Sequence, residues 1–125
     1  MFREISIVTA SNIGTARCRC MTPPFHFSDF TSVEVGIDRT KSRFGEVTLE
    51  TCKHCGTVWL RYFVEYEYRS GSGRWYRGQI DTQLAAKLTP ENAVAILEAL
   101  PEYFYGGSYF GSTGKPGRGQ VFVDG

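Results

Sequence analysis

The chain reads as an α+β fold, with an antiparallel β-sheet of about five to seven strands and one principal helix packed on it. Three observations carry that reading. Thr57 to Arg69 alternates over its whole length, with Val58, Leu60, Tyr62, Val64, Tyr66 and Tyr68 on one face, the period of a strand. Thr89-Pro90-Glu91-Asn92 supplies an N-cap hydroxyl, a proline at the first helical position and an acid in the first turn, which together start a helix. The only four cysteines fall in two tight pairs, Cys18-Arg19-Cys20 and Cys52-Lys53-His54-Cys55, with Gly56 after the last. Such a pattern draws distant parts of a chain to one point.

The elements follow in order. Arg3 to Val8 alternates around Ile5 and Ile7 and predicts a first strand, and residues 9–15 a polar turn. Pro23-Pro24 bars helix and central strand. Phe25, Phe27 and Phe30 then form an aromatic loop, expected to pack over a sheet edge. Residues 33–37 and 43–51 predict a hairpin between the cysteine pairs. The long strand is expected to turn through Gly71-Ser72-Gly73 and return over residues 74–81. An odd-length loop places Tyr76, Gly78 and Ile80 with the apolar side chains of the first strand, since a one-residue slip would exchange the faces. In that register Glu67 neighbours Arg77 on a solvated face, with Tyr66 and Ile80 on the buried one. Residues 82–88 predict a short helical turn. A helix to about Leu100 follows, with Ala93, Ile96, Leu97 and Leu100 as its core stripe. Residues 120–123 predict a last strand.

The cysteine pattern has a specific chemistry. Zn²⁺ closes a tetrahedral site on four thiolates, a Cys-x-x-Cys turn directs two sulfurs to one metal, and a following glycine allows the positive φ that turns the chain away. Cys18 and Cys20 need a local bend, because strand residues two apart share a face but stand too far apart to chelate. The expected ligands are Cys18, Cys20, Cys52 and Cys55, holding a structural Zn²⁺. His54 is expected to face solvent or bond to a ligand, and His26 is a lesser candidate. Disulfides, redox thiols and inert buried thiols are the competing readings. The first is disfavoured by the short spacings and by the lack of an export signal. Cys52-x-x-Cys55-Gly56 resembles the zinc-ribbon and zinc-knuckle families over that knuckle and the strand after it. The resemblance implies a structural metal and, at family level, binding to nucleic acid or protein. The Cys18-x-Cys20 pair, with 31 residues between it and Cys52, departs from the usual two-knuckle pattern.

With 125 residues the chain is read as one zinc-stapled domain spanning 1–125. Aromatics at 14% together with 14 glycines favour β-structure with aromatic-lined surfaces. A net charge of +1 supplies no overall basic field of the kind that drives strong nucleic-acid binding. No apolar run is long enough to cross a membrane, and a reduced, cytoplasmic setting is expected.

The remaining motifs narrow the function. Glu65 and Glu67 read as a charge-paired strand face beside Arg61, Arg69 and Arg77 and not as catalytic carboxylates. Gly114-Lys115 is not a phosphate-binding loop: Tyr109 occupies the first glycine position, Pro116 replaces Ser/Thr, and no helix follows. No catalytic constellation stands out, and a closed four-thiolate zinc has no position for a reacting water. The expectation is a non-enzymatic protein-binding module, immunity- or adaptor-like, in contact through Tyr103, Tyr105, Tyr109 and Phe110 with Lys115 and Arg118 at the rim. A long crossover loop filling core gaps is the other reading of residues 103–119. A nucleic-acid-binding zinc ribbon using Arg61, Arg74, Arg77, Lys115 and Arg118 is the alternative function, and an enzyme with a site not visible in the sequence is the third.

Overall fold

The structure, a computed structural model, describes residues 18–123. The strand expected at 3–8 and the turn at 9–15 lie outside the described residues. Among the described residues six strands form one antiparallel sheet in chain order: β1 (Phe30–Asp38), β2 (Gly45–Cys52), β3 (Val58–Val64), β4 (Arg74–Ile80), β5 (Tyr103–Gly107) and β6 (Ser112–Gly117). Helices α1 (Thr82–Lys87) and α2 (Ala93–Ala99) connect β4 to β5. No helix among the described residues is long and apolar enough to cross a membrane.

Alternation divides the sheet into two covered faces. On one, Val47, Leu60, Tyr62, Val64, Tyr76, Ile80 and Tyr103 pack against Ala93, Val94 and Leu97 of α2 and against Val121 and Val123. Glycine at position 78 lets α2 approach, since a Cβ there would stand 2.3 Å from Leu100 Cδ1. Ahead of the helix, the Asn92 amide donates to Thr89 Oγ1 (3.1 Å) while the Thr89 amide donates to Asn92 Oδ1 (2.7 Å). This is the reciprocal arrangement of a capping box, with asparagine in the usual place of Glu or Gln. Asp81 caps α1 by accepting from the Leu84 amide at 2.8 Å.

The β1–β2 hairpin lies where the sequence places it, with a bulge between Glu34 and Gly36. The bulge breaks the expected alternation, so that Ile37 stands opposite Glu46 whereas Val33, which is exposed, stands opposite Leu49. At the far end Asp38 is fully buried. Its carboxylate accepts from Tyr62 Oη (2.8 Å), Thr40 Oγ1 (2.6 Å) and the Thr40 amide (3.0 Å), and it pairs with Arg43.

Three expectations are corrected. β3 ends at Val64, and the connection to β4 runs through residues 65–73 instead of Gly71-Ser72-Gly73 alone. The faces survive because that loop is also odd in length, but Tyr76 stands opposite Tyr62 and Arg77 opposite Arg61, so Glu67 does not neighbour Arg77. The physical cause is Ser72, which is buried and whose hydroxyl accepts from the Tyr66 amide and donates to the Tyr66 carbonyl, both at 2.9 Å. This clamp replaces further strand pairing. Second, Arg77 does not lie on a solvated, charge-paired surface. Trp59 and Arg77 are buried, and the chain around Phe25 covers them. Third, residues 120–123 form no strand. That segment is fastened by side chains: Tyr76 Oη accepts from the Phe122 amide (2.8 Å), Glu98 accepts from the Val121 amide (2.9 Å), and Tyr66 Oη donates to the Val123 carbonyl (2.9 Å).

The Asp38 cluster generates a test. Burial disfavours the Asp38 carboxylate, but its bonds from Thr40, Tyr62 and Arg43 outweigh that and depress its pKa. A depressed acid contributes stability that is present above the unfolded value of about 4 and is lost as pH falls through the folded value. Tyr62→Phe should therefore cost about 1–3 kcal/mol near neutrality and move the acid unfolding midpoint to higher pH, as measured by urea titration at a series of pH values. An unchanged acid midpoint would show that the Tyr62 bond does not hold the carboxylate.

Candidate metal centre

The four cysteines meet at one end of the sheet. Their Sγ atoms all lie within 4.8 Å of one another, with Cys18–Cys52 and Cys20–Cys55 at 3.5 Å. All four are free thiols. A tetrahedral metal with sulfurs about 2.3 Å away sets them about 3.8 Å apart, whereas a disulfide needs about 2.05 Å. The quartet is therefore a candidate metal site.

Local structure explains the convergence. Cys18 precedes a 3₁₀ turn over Arg19–Met21, closed by the Met21 amide on the Cys18 carbonyl at 3.0 Å. This is the bend that a Cys-x-Cys pair requires. Cys52 ends β2, and Cys55 follows in a turn closed by the Gly56 amide on the Cys52 carbonyl at 3.0 Å. Gly56 has φ +77°, as expected of a residue turning the chain out of a knuckle. The His54 amide points at Cys52 Sγ from 3.3 Å.

A buried aspartate links the two knuckles. Asp29 accepts from Arg19, which lies between Cys18 and Cys20, and contacts His54 Nε2 at 3.0 Å, which lies between Cys52 and Cys55. Its own carbonyl accepts from the Lys53 amide at 2.8 Å. Arg19 first, and then His54, hold the Asp29 carboxyl below its ordinary range. His54 thus bonds to the support of the site, in agreement with the sequence reading. His26 is exposed and is not part of the ligand group.

The thiols differ in acidity. Burial, followed by the neighbouring thiols, pushes Cys20 up, and the Trp59 indole N–H acts against that. Cys18 is also raised: its largest influence, the Cys20 amide, lowers it, but burial and the Cys52 and Cys55 thiols prevail. Burial opposes ionisation of Cys52, but the His54 and Cys55 amides win and lower it. Cys55 is lowered to about 6, where the Thr57 hydroxyl and amide and the Cys20 thiol overcome burial. Ligation requires all four as thiolates, so metal uptake must release the protons that remain.

The aromatic-glycine segment lies elsewhere. It forms the β5–β6 hairpin, whose tip bonds to the start of β4 through the Tyr109 amide on the Gly73 carbonyl at 2.8 Å. Since Val58 and Ile80 pair at the knuckle end of β3 and β4, this tip lies at the opposite end of β4 from the cysteines. Tyr103 is buried, its Oη donating toward the Gly119 and Gln120 carbonyls at 3.1 and 2.7 Å. It is a core residue and offers no contact area. Tyr105 and Phe110 are half-buried against each other with ring centroids 4.8 Å apart. Tyr109 is 46% exposed beneath the Arg74 guanidinium, 4.1 Å from its ring centroid. Lys115 and Arg118 are exposed.

Sequence reasoning missed Asp29 and the buried pair of Arg77 with Glu50 (2.6 Å). The Asp29 contacts span both cysteine motifs, and no local pattern marks them.

Comparison with protein-family models, curated proteins and solved structures gives no match.

A ligand set of four sulfurs makes an asymmetric prediction for variants. Cys20→Ser or Cys52→Ser should abolish stoichiometric metal in the purified chain, whereas His54→Ala and His26→Ala should retain one metal ion per chain by elemental analysis. Loss of metal in His26→Ala with retention in Cys20→Ser would overturn the assignment.

Proposed function

We propose that this is a small, non-enzymatic, zinc-stapled protein that works by binding another protein, as an immunity- or adaptor-like module. The observation that carries the metal half is the all-sulfur quartet, a donor set suited to Zn²⁺ in closed structural sites. Such a site gives folding energy and keeps no position for a reacting water. It joins the chain before β1 to the turn after β2, which is what a structural metal does.

The binding half rests on the β5–β6 hairpin. Among the described residues β6 is the last strand of the sheet, with no strand paired beyond it, and such a strand edge is a ready site for a second chain. Beside it stand Tyr109, partly exposed, and the exposed Lys115 and Arg118, an aromatic centre with a polar rim. The nucleic-acid reading is less favoured, because Arg74 and Arg77 are buried and cannot contribute to a basic surface stripe.

The two halves are tested separately. Chelation should lower the melting temperature of the wild-type chain markedly, and stoichiometric Zn²⁺ should restore it. Co-purification from native lysate should enrich a protein that Tyr109→Ala fails to retain, with retention on wild type little changed by moderate salt. Retention of nucleic acid that falls steeply with salt would favour the alternative.

A further inference from the structure

We propose that a cleft on the knuckle-bearing face of the sheet binds a small arene carrying one oxoanion, a carboxylate or a phosphate. The cleft has a volume of about 330 Å³ and is lined by Phe25, Arg61, Trp75, Arg77, Ser112 and Thr113, with Pro24 at its rim. It is distinct from the sulfur quartet, and nothing in the zinc reading uses it.

The charge pattern points to an anion. Arg61 and Arg77 stand directly opposite one another on β3 and β4, a like-charge cross-strand pair that is destabilising unless compensated. Only one carboxylate answers them among the described residues: Glu50 pairs with Arg77 Nη1 at 2.6 Å. Arg61 has no ion pair among those residues, and its guanidinium lies 5.2 Å from the Phe63 ring centroid. One positive charge is left over in the cleft. Arg77 is only 4% exposed, yet its Nε and Nη2 have no hydrogen-bond partner among the described residues. Its guanidinium is instead surrounded by the rings of Phe25, Phe30 and Trp59 at 4.6, 4.4 and 5.2 Å. That cage holds Arg77 and leaves Arg61 as the cation of the cleft lining without an ion pair among the described residues.

The rest of the wall selects a flat molecule. Gly106 lies opposite Trp75, and a Cβ there would meet Trp75 Cζ2 at 2.7 Å, so the missing side chain lets the indole lie across β5 toward β6. Phe25 meets Trp75 edge-on, with centroids 5.8 Å apart and planes at 85°. Between the arginines of β3–β4 and the cleft wall at Ser112 and Thr113 there is thus an aromatic floor. An arene can stack on this floor, with its oxoanion at Arg61 in a charge-assisted hydrogen bond. The volume lies at the small end of ligand cavities, about 300–1,000 Å³, which suits one or two fused rings.

The test titrates the metal-loaded full chain with benzoate, phenyl phosphate, benzamide and inorganic phosphate, following the two tryptophan indole N–H signals by NMR. Benzoate or phenyl phosphate should shift the Trp75 signal more than that of Trp59, and the arm that does so identifies the oxoanion. Benzamide and inorganic phosphate should bind at least about tenfold more weakly, a difference of about 1.4 kcal/mol. Arg61→Gln should weaken the anionic arene by a similar factor while leaving the metal content and the unliganded spectrum of the other residues unchanged. Ser112→Ala, at the opposite wall, gives a second variant that leaves both arginines in place and should also weaken binding. The proposal is overturned if neither arene anion binds at millimolar concentration. Equal binding by benzamide or inorganic phosphate, or undiminished binding to Arg61→Gln, would overturn it as well.

Discussion

The convergence of four sulfurs at the end of β2 is the constraint on which the knuckle-side face depends. Cys18 and Cys20 belong to a segment with a 3₁₀ turn and two prolines, which has little regular hydrogen bonding to hold it to the sheet. Bringing those thiols to Cys52 and Cys55 fixes one end of the segment, and the Asp29 bonds to Arg19, His54 and the Lys53 amide fix the other. Between these anchors the chain has to pass over the sheet, and Phe25 comes to rest on Trp59, Trp75 and Phe104 at centroid distances of 5.3–5.8 Å. The cysteine cluster therefore anchors a small second core of Cys20, Phe30, Cys52 and Trp59 with Phe25 and Phe104 packed on it.

That second core encloses a charge. Arg77 lies beneath the anchored segment, paired with Glu50 and ringed by aromatic faces. Removing a guanidinium from water costs several kcal/mol, and an ion pair alone rarely repays it. Burial acts to lower the Arg77 pKa, and the Glu50 charge opposes that. Cation–π contacts supply the remaining compensation. Phe25 of the segment that carries Cys18 and Cys20, together with Phe30 after it, forms part of this cage and keeps water from Arg77. A related device holds the opposite face: buried Arg74 donates to the Phe122 carbonyl at 3.0 Å and stacks on Tyr109, securing the hairpin tip and the chain end together.

Features that depend on near neighbours were legible in the chain. The β1–β2 hairpin, the Thr89 cap, the α2 stripe and the cysteine quartet each announce themselves within a short window or by residue type. Alternation also assigned Tyr62, Tyr76 and Ile80 to one face correctly, because parity is all that alternation encodes. It could not reveal where β3 stops, since that depends on Ser72 reaching back to the Tyr66 backbone. It likewise marked Arg77 as solvent-facing because arginine on a strand usually is, whereas Phe25 and Phe30 cover it from far away in the sequence. Tyr103 looked like interface for the same reason: its partners are carbonyls of Gly119 and Gln120, beyond the hairpin. The function was less legible still, because a cysteine quartet points to what could hold a chain together and not to what the chain meets.

X-ray absorption at the zinc edge of the purified chain measures the ligand atoms directly. Four sulfur scatterers at about 2.3 Å, with no nitrogen or oxygen shell, is the result expected from Cys18, Cys20, Cys52 and Cys55. A mixed sulfur and nitrogen shell, or a protein that retains its fold with four free thiols and no metal, would contradict it.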